Sequence, residues 1–159
     1  MEEIQYTENF EVGEIQFSDT PASGSQYPLD ENLQNSNAQT LRNRSNPIGV
    51  GENVRVDGLT PEIMNAAYAL RDGSGDNIAI TSGYRPYDAG SQHALGRAVD
   101  LSRQNPQFND FMRTEVISNA QPAFYYNGQP VYFVNYNGIN MKIIDEPINN
   151  TWHIDVRRR

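Results

Sequence analysis

Apolar residues are sparse at the start of this chain and later fall into short, readable patterns. Residues 1–48 are rich in Asn, Gln, Ser, Thr and acidic side chains, with little sustained apolar periodicity after Phe17. Such a segment buries too little apolar surface to offset its own ordering entropy. It is expected to be an extended arm, ordered only where it lies along the domain or along another protein. The domain itself is expected over residues 49–159. Its first helix is announced by Thr60 as N-cap, Pro61 at the first helical position and Glu62 in the first turn, with Ile63, Met64, Ala67 and Leu70 forming one apolar stripe. After a glycine turn at Gly73 and Gly75, residues 77–81 read as a short buried strand. A second helix starts at Asn105 and Pro106, and Phe108, Phe111, Met112 and Val116 mark its buried face.

The remainder is β in character. Asn127-Gly128 and Asn137-Gly138 sit between runs of Tyr, Phe, Val and Ile, and Asn-Gly is the strongest short-range hairpin signal. Strands are expected near 122–126, 130–136, 139–145 and 151–156. Together these elements give an α+β fold, two helices packed on a small, mostly antiparallel sheet.

Composition narrows the functions. A formal net charge of -8 argues against a nucleic-acid partner, whose phosphates demand a basic face. The three arginines Arg157, Arg158 and Arg159 read as a solvated end rather than a phosphate site. With no cysteine, disulfides and thiolate metal sites are excluded, so any metal must use His, Asp or Glu. No stretch approaches the ~18 apolar residues of a membrane span, and the acidic start MEEIQYTENF lacks the basic and apolar segments of a secretory signal. Synthesis in the cytoplasm is expected.

The only two histidines lie in segments that read as sites rather than core. His93 ends a Gly-, Pro- and polar-rich stretch from Ser82, the kind of loop in which binding residues concentrate. Residues 96–101 read as a short strand whose alternation sends Val99 and Leu101 to the core and leaves Asp100 beside the small Ala98. In residues 151–156 the same alternation puts Trp152, Ile154 and Val156 on the apolar face and His153 with Asp155 and Thr151 on the other. Two imidazoles and a carboxylate make a three-ligand set that leaves one tetrahedral position open, as in catalytic zinc sites. Manganese and iron accept the same ligand types. Taken separately, a histidine on a strand is more often a satisfied polar group.

The order SGYRP, then SxHxxGxAxD, then WHID resembles the zinc metallopeptidases of the D-alanyl-D-alanine carboxypeptidase family. That family shares its fold with the hedgehog signalling domain and with phage L-alanyl-D-glutamate endolysins. The resemblance covers roughly residues 53–156, and its core motif fixes five residue types within ten positions. It implies His93, Asp100 and His153 as ligands of Zn2+. It further implies Arg85 as the cation that holds a substrate carboxylate or carbonyl oxygen, with Ser91 and its neighbour Gln92 as substrate contacts. Arginine suits that role because its planar fork binds a carboxylate in two places. The competing reading of Arg85 is a surface ion pair.

One position departs from the pattern. Many members carry a general-base glutamate three residues before the final histidine, where this chain has Asn150. An amide cannot take a proton from water at neutral pH, so hydrolysis needs another carboxylate. Glu146, after the apolar run and before Pro147, fits relatives that carry the base on the preceding strand; Asp145 and Asp155 are weaker candidates. The resemblance thus implies a zinc-dependent peptidoglycan peptidase, a D,D-carboxypeptidase or L-Ala-D-Glu endopeptidase acting on stem peptides. A chain without a signal must still reach the wall, which points to a phage or phage-like source. The alternative is a non-catalytic zinc-binding or wall-binding module of a virion or injection assembly, with residues 1–48 docked onto that larger body.

Overall fold

The two Asn-Gly pairs do what their chemistry requires. Asn127 and Gly128 have φ of 49° and 78°, and Asn137 and Gly138 have 50° and 81°. Successive left-handed residues make the tight turn whose twist matches paired strands. These turns join β4 (Phe124–Tyr126), β5 (Gln129–Tyr136) and β6 (Ile139–Glu146) into an antiparallel meander. A short 3₁₀ turn, Pro147–Asn149, then leads into β7 (Thr151–Val156), which pairs antiparallel with β6.

The computed structural model describes residues 26–118 and 120–157. Earlier in the chain lie β1 (Gly49–Val50), β2 (Ala79–Ser82) and β3 (Ala98–Ser102). The sheet runs β1-β2-β3-β7-β6-β5-β4, and only the β1–β2 pair is parallel. Chain-distant β3 and β7 are therefore neighbours at the sheet centre. Pairing of Asp100 with His153 in the β3–β7 register puts two of the candidate ligands on one face.

Among the described residues there are three helices rather than the two expected, on this mostly antiparallel seven-stranded sheet. α2 (Pro61–Ser74) is capped by the Thr60 hydroxyl, which accepts from Ile63 N, and it ends at Gly75 in the left-handed conformation. α3 (Pro106–Phe111) is capped by Asn105 and continues as one π-helical turn, Met112–Val116. Their apolar faces meet Val99, Leu101, Ile143, Trp152, Ile154 and Val156 in one core. No helix among the described residues is long and apolar enough to cross a membrane.

The additional helix is α1 (Glu31–Arg42), inside the segment expected to be an extended polar arm. Asp30 caps it by accepting from Leu33 N, and Ala38 and Leu41 enter the common core, Leu41 with no exposed surface. Burying one leucine stabilises by about 1.5–3 kcal/mol. The polar residues also have work in the fold. Gln34 accepts from Val56 N and Asp57 N and donates to Val54 O, and Asn37 donates to Val56 O. Arg55 ties Tyr27 and Pro28 through their carbonyls. The domain therefore reaches back at least to Tyr27, and the boundary at residue 49 is corrected to that extent. The rest of the expected arm, residues 1–25, lies outside the described residues.

Candidate metal centre

The loop carrying His93 is built by its own backbone. Tyr84 N donates to Arg55 O at 2.8 Å, and Arg85 N donates to His93 O at 3.1 Å. Between them run short turns: Asp88 N to Arg85 O, Ser91 N to Asp88 O, and Ala94 N to Ser91 O. Two glycines are obligatory here. Gly96 has φ +69°, and a Cβ on it would strike the Gly58 carbonyl; one on Gly83 would strike the Arg55 carbonyl. Close packing of Gly83 brings its carbonyl to 2.7 Å from His93 Nδ1. A carbonyl can only accept, so Nδ1 carries the proton and Nε2 presents its lone pair.

His153 is fixed from the opposite side. Its Nε2 lies 3.1 Å from Asp155 Oδ2, so this nitrogen donates and Nδ1 is the one that can give a lone pair to a metal. Lys142 Nζ lies 3.1 Å from the same Asp155 oxygen, and Arg157 Nε is 3.5 Å from the other. Three acceptor atoms therefore converge. His93 Nε2 is 3.3 Å from His153 Nδ1, His153 Nδ1 is 3.0 Å from Asp100 Oδ1, and His93 Nε2 is 3.4 Å from Asp100 Oδ1. Lone pairs at such separations repel unless a cation stands between them. Two ligands of a tetrahedral ion at about 2.0–2.1 Å are roughly 3.3 Å apart, which matches this triangle. His93, Asp100 and His153 could thus hold one metal ion.

In the metal-free protein a proton plays that part. Burial lowers the basicity of His153, but the hydrogen bonds with Asp100 and Asp155 outweigh it and push its pKa up to about 9. Burial raises the Asp100 carboxyl, yet the hydrogen bond from protonated His153 and its charge hold it well below the usual carboxylate range. Metal binding should therefore displace the Nδ1 proton of His153. At pH 7 calorimetry in buffers of different ionisation enthalpy should find about one proton released per metal. Below pH 9 affinity should fall as pH falls, because the proton competes; above pH 9 the share of the release that comes from His153 should vanish. No release at pH 7 would mean that His153 is neutral in the metal-free protein.

The other expected site residues are distributed as follows. Glu146 ends β6 opposite Thr151, on the face that carries His153, and the Thr151 hydroxyl donates to its Oε1 at 3.1 Å. Burial raises its pKa, partly offset by the charge of His153. Asn150 is exposed with φ 56°, a turn position that asparagine tolerates well, and its carbonyl accepts from Arg103 N. Asp145 points to the other face by alternation and pairs with Arg103. Asp155 is fully buried behind His153, so it orients the ring and has no access to solvent.

Arg85 forms an i,i+3 ion pair with Asp88 at 3.2 Å, while its Nε is buried without a hydrogen-bond partner among the described residues. Ser91 Oγ accepts from Ala94 N at 3.1 Å, and Gln92 Oε1 is likewise buried without a partner.

Two contributors escaped the sequence reading. Nothing adjacent to Lys142 in the sequence marks its partner on another strand, and the Gly83 carbonyl carries no side-chain signal. The shared face of Asp155 and His153 was legible, but Asp155 was expected as a weaker candidate base and instead holds the His153 ring. In comparisons with known proteins, the chain matches no family model, and no curated protein or solved structure is significantly similar to it.

Proposed function

We propose that this protein is a zinc-dependent peptidase acting on the stem peptides of peptidoglycan. The observation that carries the reading is the triangle of acceptor atoms on His93, Asp100 and His153, with the carboxyl of Glu146 on the same sheet face. Two imidazoles, one carboxylate and an open fourth position are the donor set of catalytic zinc, and no thiolate competes for a softer ion. The wall peptide follows from the resemblance of SGYRP, SxHxxGxAxD and WHID to the D-alanyl-D-alanine carboxypeptidase family.

Zinc held there supplies a Lewis acid for a peptide carbonyl and acidifies water toward a pKa of ~7. The chain's own residues do the rest. Glu146 takes the proton of the attacking water and passes it to the departing amine; its raised pKa suits both halves of that task. Arg85 exchanges its Asp88 partner for a substrate carboxylate or the carbonyl oxygen. Ser91 keeps its hydroxyl proton free to donate, because its oxygen accepts from the backbone of Ala94. Gln92 offers an unused amide oxygen to a substrate N–H.

A second reading keeps the metal without the reaction, and the amide at Asn150 favours it. Mass spectrometry of purified wall fragments incubated with the zinc-loaded protein separates the two. Release of D-alanine, or separation of L-alanine from D-glutamate, is expected. Intact fragments with the metal fully bound would establish the non-catalytic module.

A further inference from the structure

Strand β6 carries an expensive residue. Lys142 is only 2% exposed, and its chain neighbours Met141, Ile143 and Ile144 are all buried aliphatic side chains. Removing an ammonium from water costs several kcal/mol unless a partner compensates, and an apolar residue here would avoid that cost altogether. Burial of this kind asks for a reason other than stability.

The geometry supplies one. Lys142 pairs across the β6–β7 ladder with Asp155, and its Nζ reaches Asp155 Oδ2 at 3.1 Å. That oxygen also accepts from His153 Nε2 at 3.1 Å. Two donors thus converge on one fully buried carboxylate oxygen, one from β6 and one from the imidazole. With Oδ2 held by Lys142, the ring of His153 is turned so that Nδ1 faces Asp100 Oδ1 at 3.0 Å and His93 Nε2 at 3.3 Å. Arg157 cannot replace the lysine. It addresses the other oxygen at 3.5 Å, and its side chain is half exposed.

We infer that Lys142 is a positioning residue of the metal centre, acting through Asp155 to aim the Nδ1 lone pair of His153 at the ion. The inference rests on the metal site described above and adds a residue that touches neither metal nor substrate. Groups that orient a ligating histidine are worth roughly 10- to 100-fold in metal affinity.

Zinc affinity measured by chelator competition tests it with Lys142→Met, Asp155→Asn and the double variant. Lys142→Met should weaken zinc binding by roughly 10- to 100-fold. In the double variant the loss should equal that of Asp155→Asn alone, because the lysine acts only through the carboxylate. Long-range proton–nitrogen spectra of the zinc-loaded protein should show a single Nε2–H form of His153 in wild type and an altered ring signal in Lys142→Met. A purely structural lysine would lower stability and leave both ring signal and affinity unchanged.

If Lys142→Met fails to fold, the double variant still decides, because it removes the lysine and the carboxylate together; equal zinc affinity in it and in folded Asp155→Asn, where Lys142 has lost that carboxylate, is the expected result. A further loss of affinity in the double variant would overturn the inference, as would wild-type affinity in folded Lys142→Met. Wild-type protein that takes up no zinc would instead overturn the metal centre, and the role of Lys142 with it.

Discussion

Glu146→Gln should lower hydrolysis of a stem peptide by roughly 100- to 10,000-fold, the usual span for losing a general base, with zinc still bound. The expectation comes from β6 and β7 together. Glu146 pairs with Thr151, two residues from His153 on the same face, and the Thr151 hydroxyl steadies its carboxyl at 3.1 Å. Burial raises its pKa, which improves it as a base for water near neutral pH. The competing carboxylates are spoken for, Asp145 by Arg103 on the opposite face and Asp155 by Lys142 and His153. Asn150→Glu should change little, because that residue is exposed and held in a left-handed turn conformation. Turnover of Glu146→Gln within threefold of wild type would remove Glu146 from the reaction.

Removal of His93 should have an effect of comparable size on the metal itself. Apparent zinc binding energies of ~10–16 kcal/mol spread over four ligands give about 2.5–4 kcal/mol for each, or roughly 70- to 900-fold in affinity. His93→Ala should therefore lose stoichiometric zinc in elemental analysis while the wild type holds about one ion per chain. Stability should fall too, by about 1–3 kcal/mol, because the buried Gly83 carbonyl loses its donor. Zinc at full occupancy in a folded His93→Ala protein would mean that the ion binds elsewhere.

Much of the architecture that holds these residues was legible along the chain, and the reason is local. The Asn-Gly turns, the Thr60-Pro61 start and the Asn105-Pro106 start are decided by a few neighbouring residues, so strands and helices fell close to their expected places. Alternation alone put Asp100 and His153 on the faces they occupy, although the β3–β7 pairing that joins them spans more than fifty residues.

What escaped the sequence reading depends on distant partners. Helix α1 looks polar because Gln34 and Asn37 are spent on the backbone of residues 54–57, a use that composition cannot reveal. The place of Lys142 could not be read either, because its compensating carboxylate lies on another strand. The ion pair of Arg85 with Asp88 is the reading that competed with a substrate role, and it forms within one short loop.

Whether His93, Asp100 and His153 form one metal centre is decided by diffraction at the zinc absorption edge from crystals of the zinc-loaded protein. A single anomalous peak is predicted, within bonding distance of His93 Nε2, Asp100 Oδ1 and His153 Nδ1, with His153 Nε2 still turned to Asp155. A peak on other side chains, or zinc bonded through His153 Nε2, would contradict it.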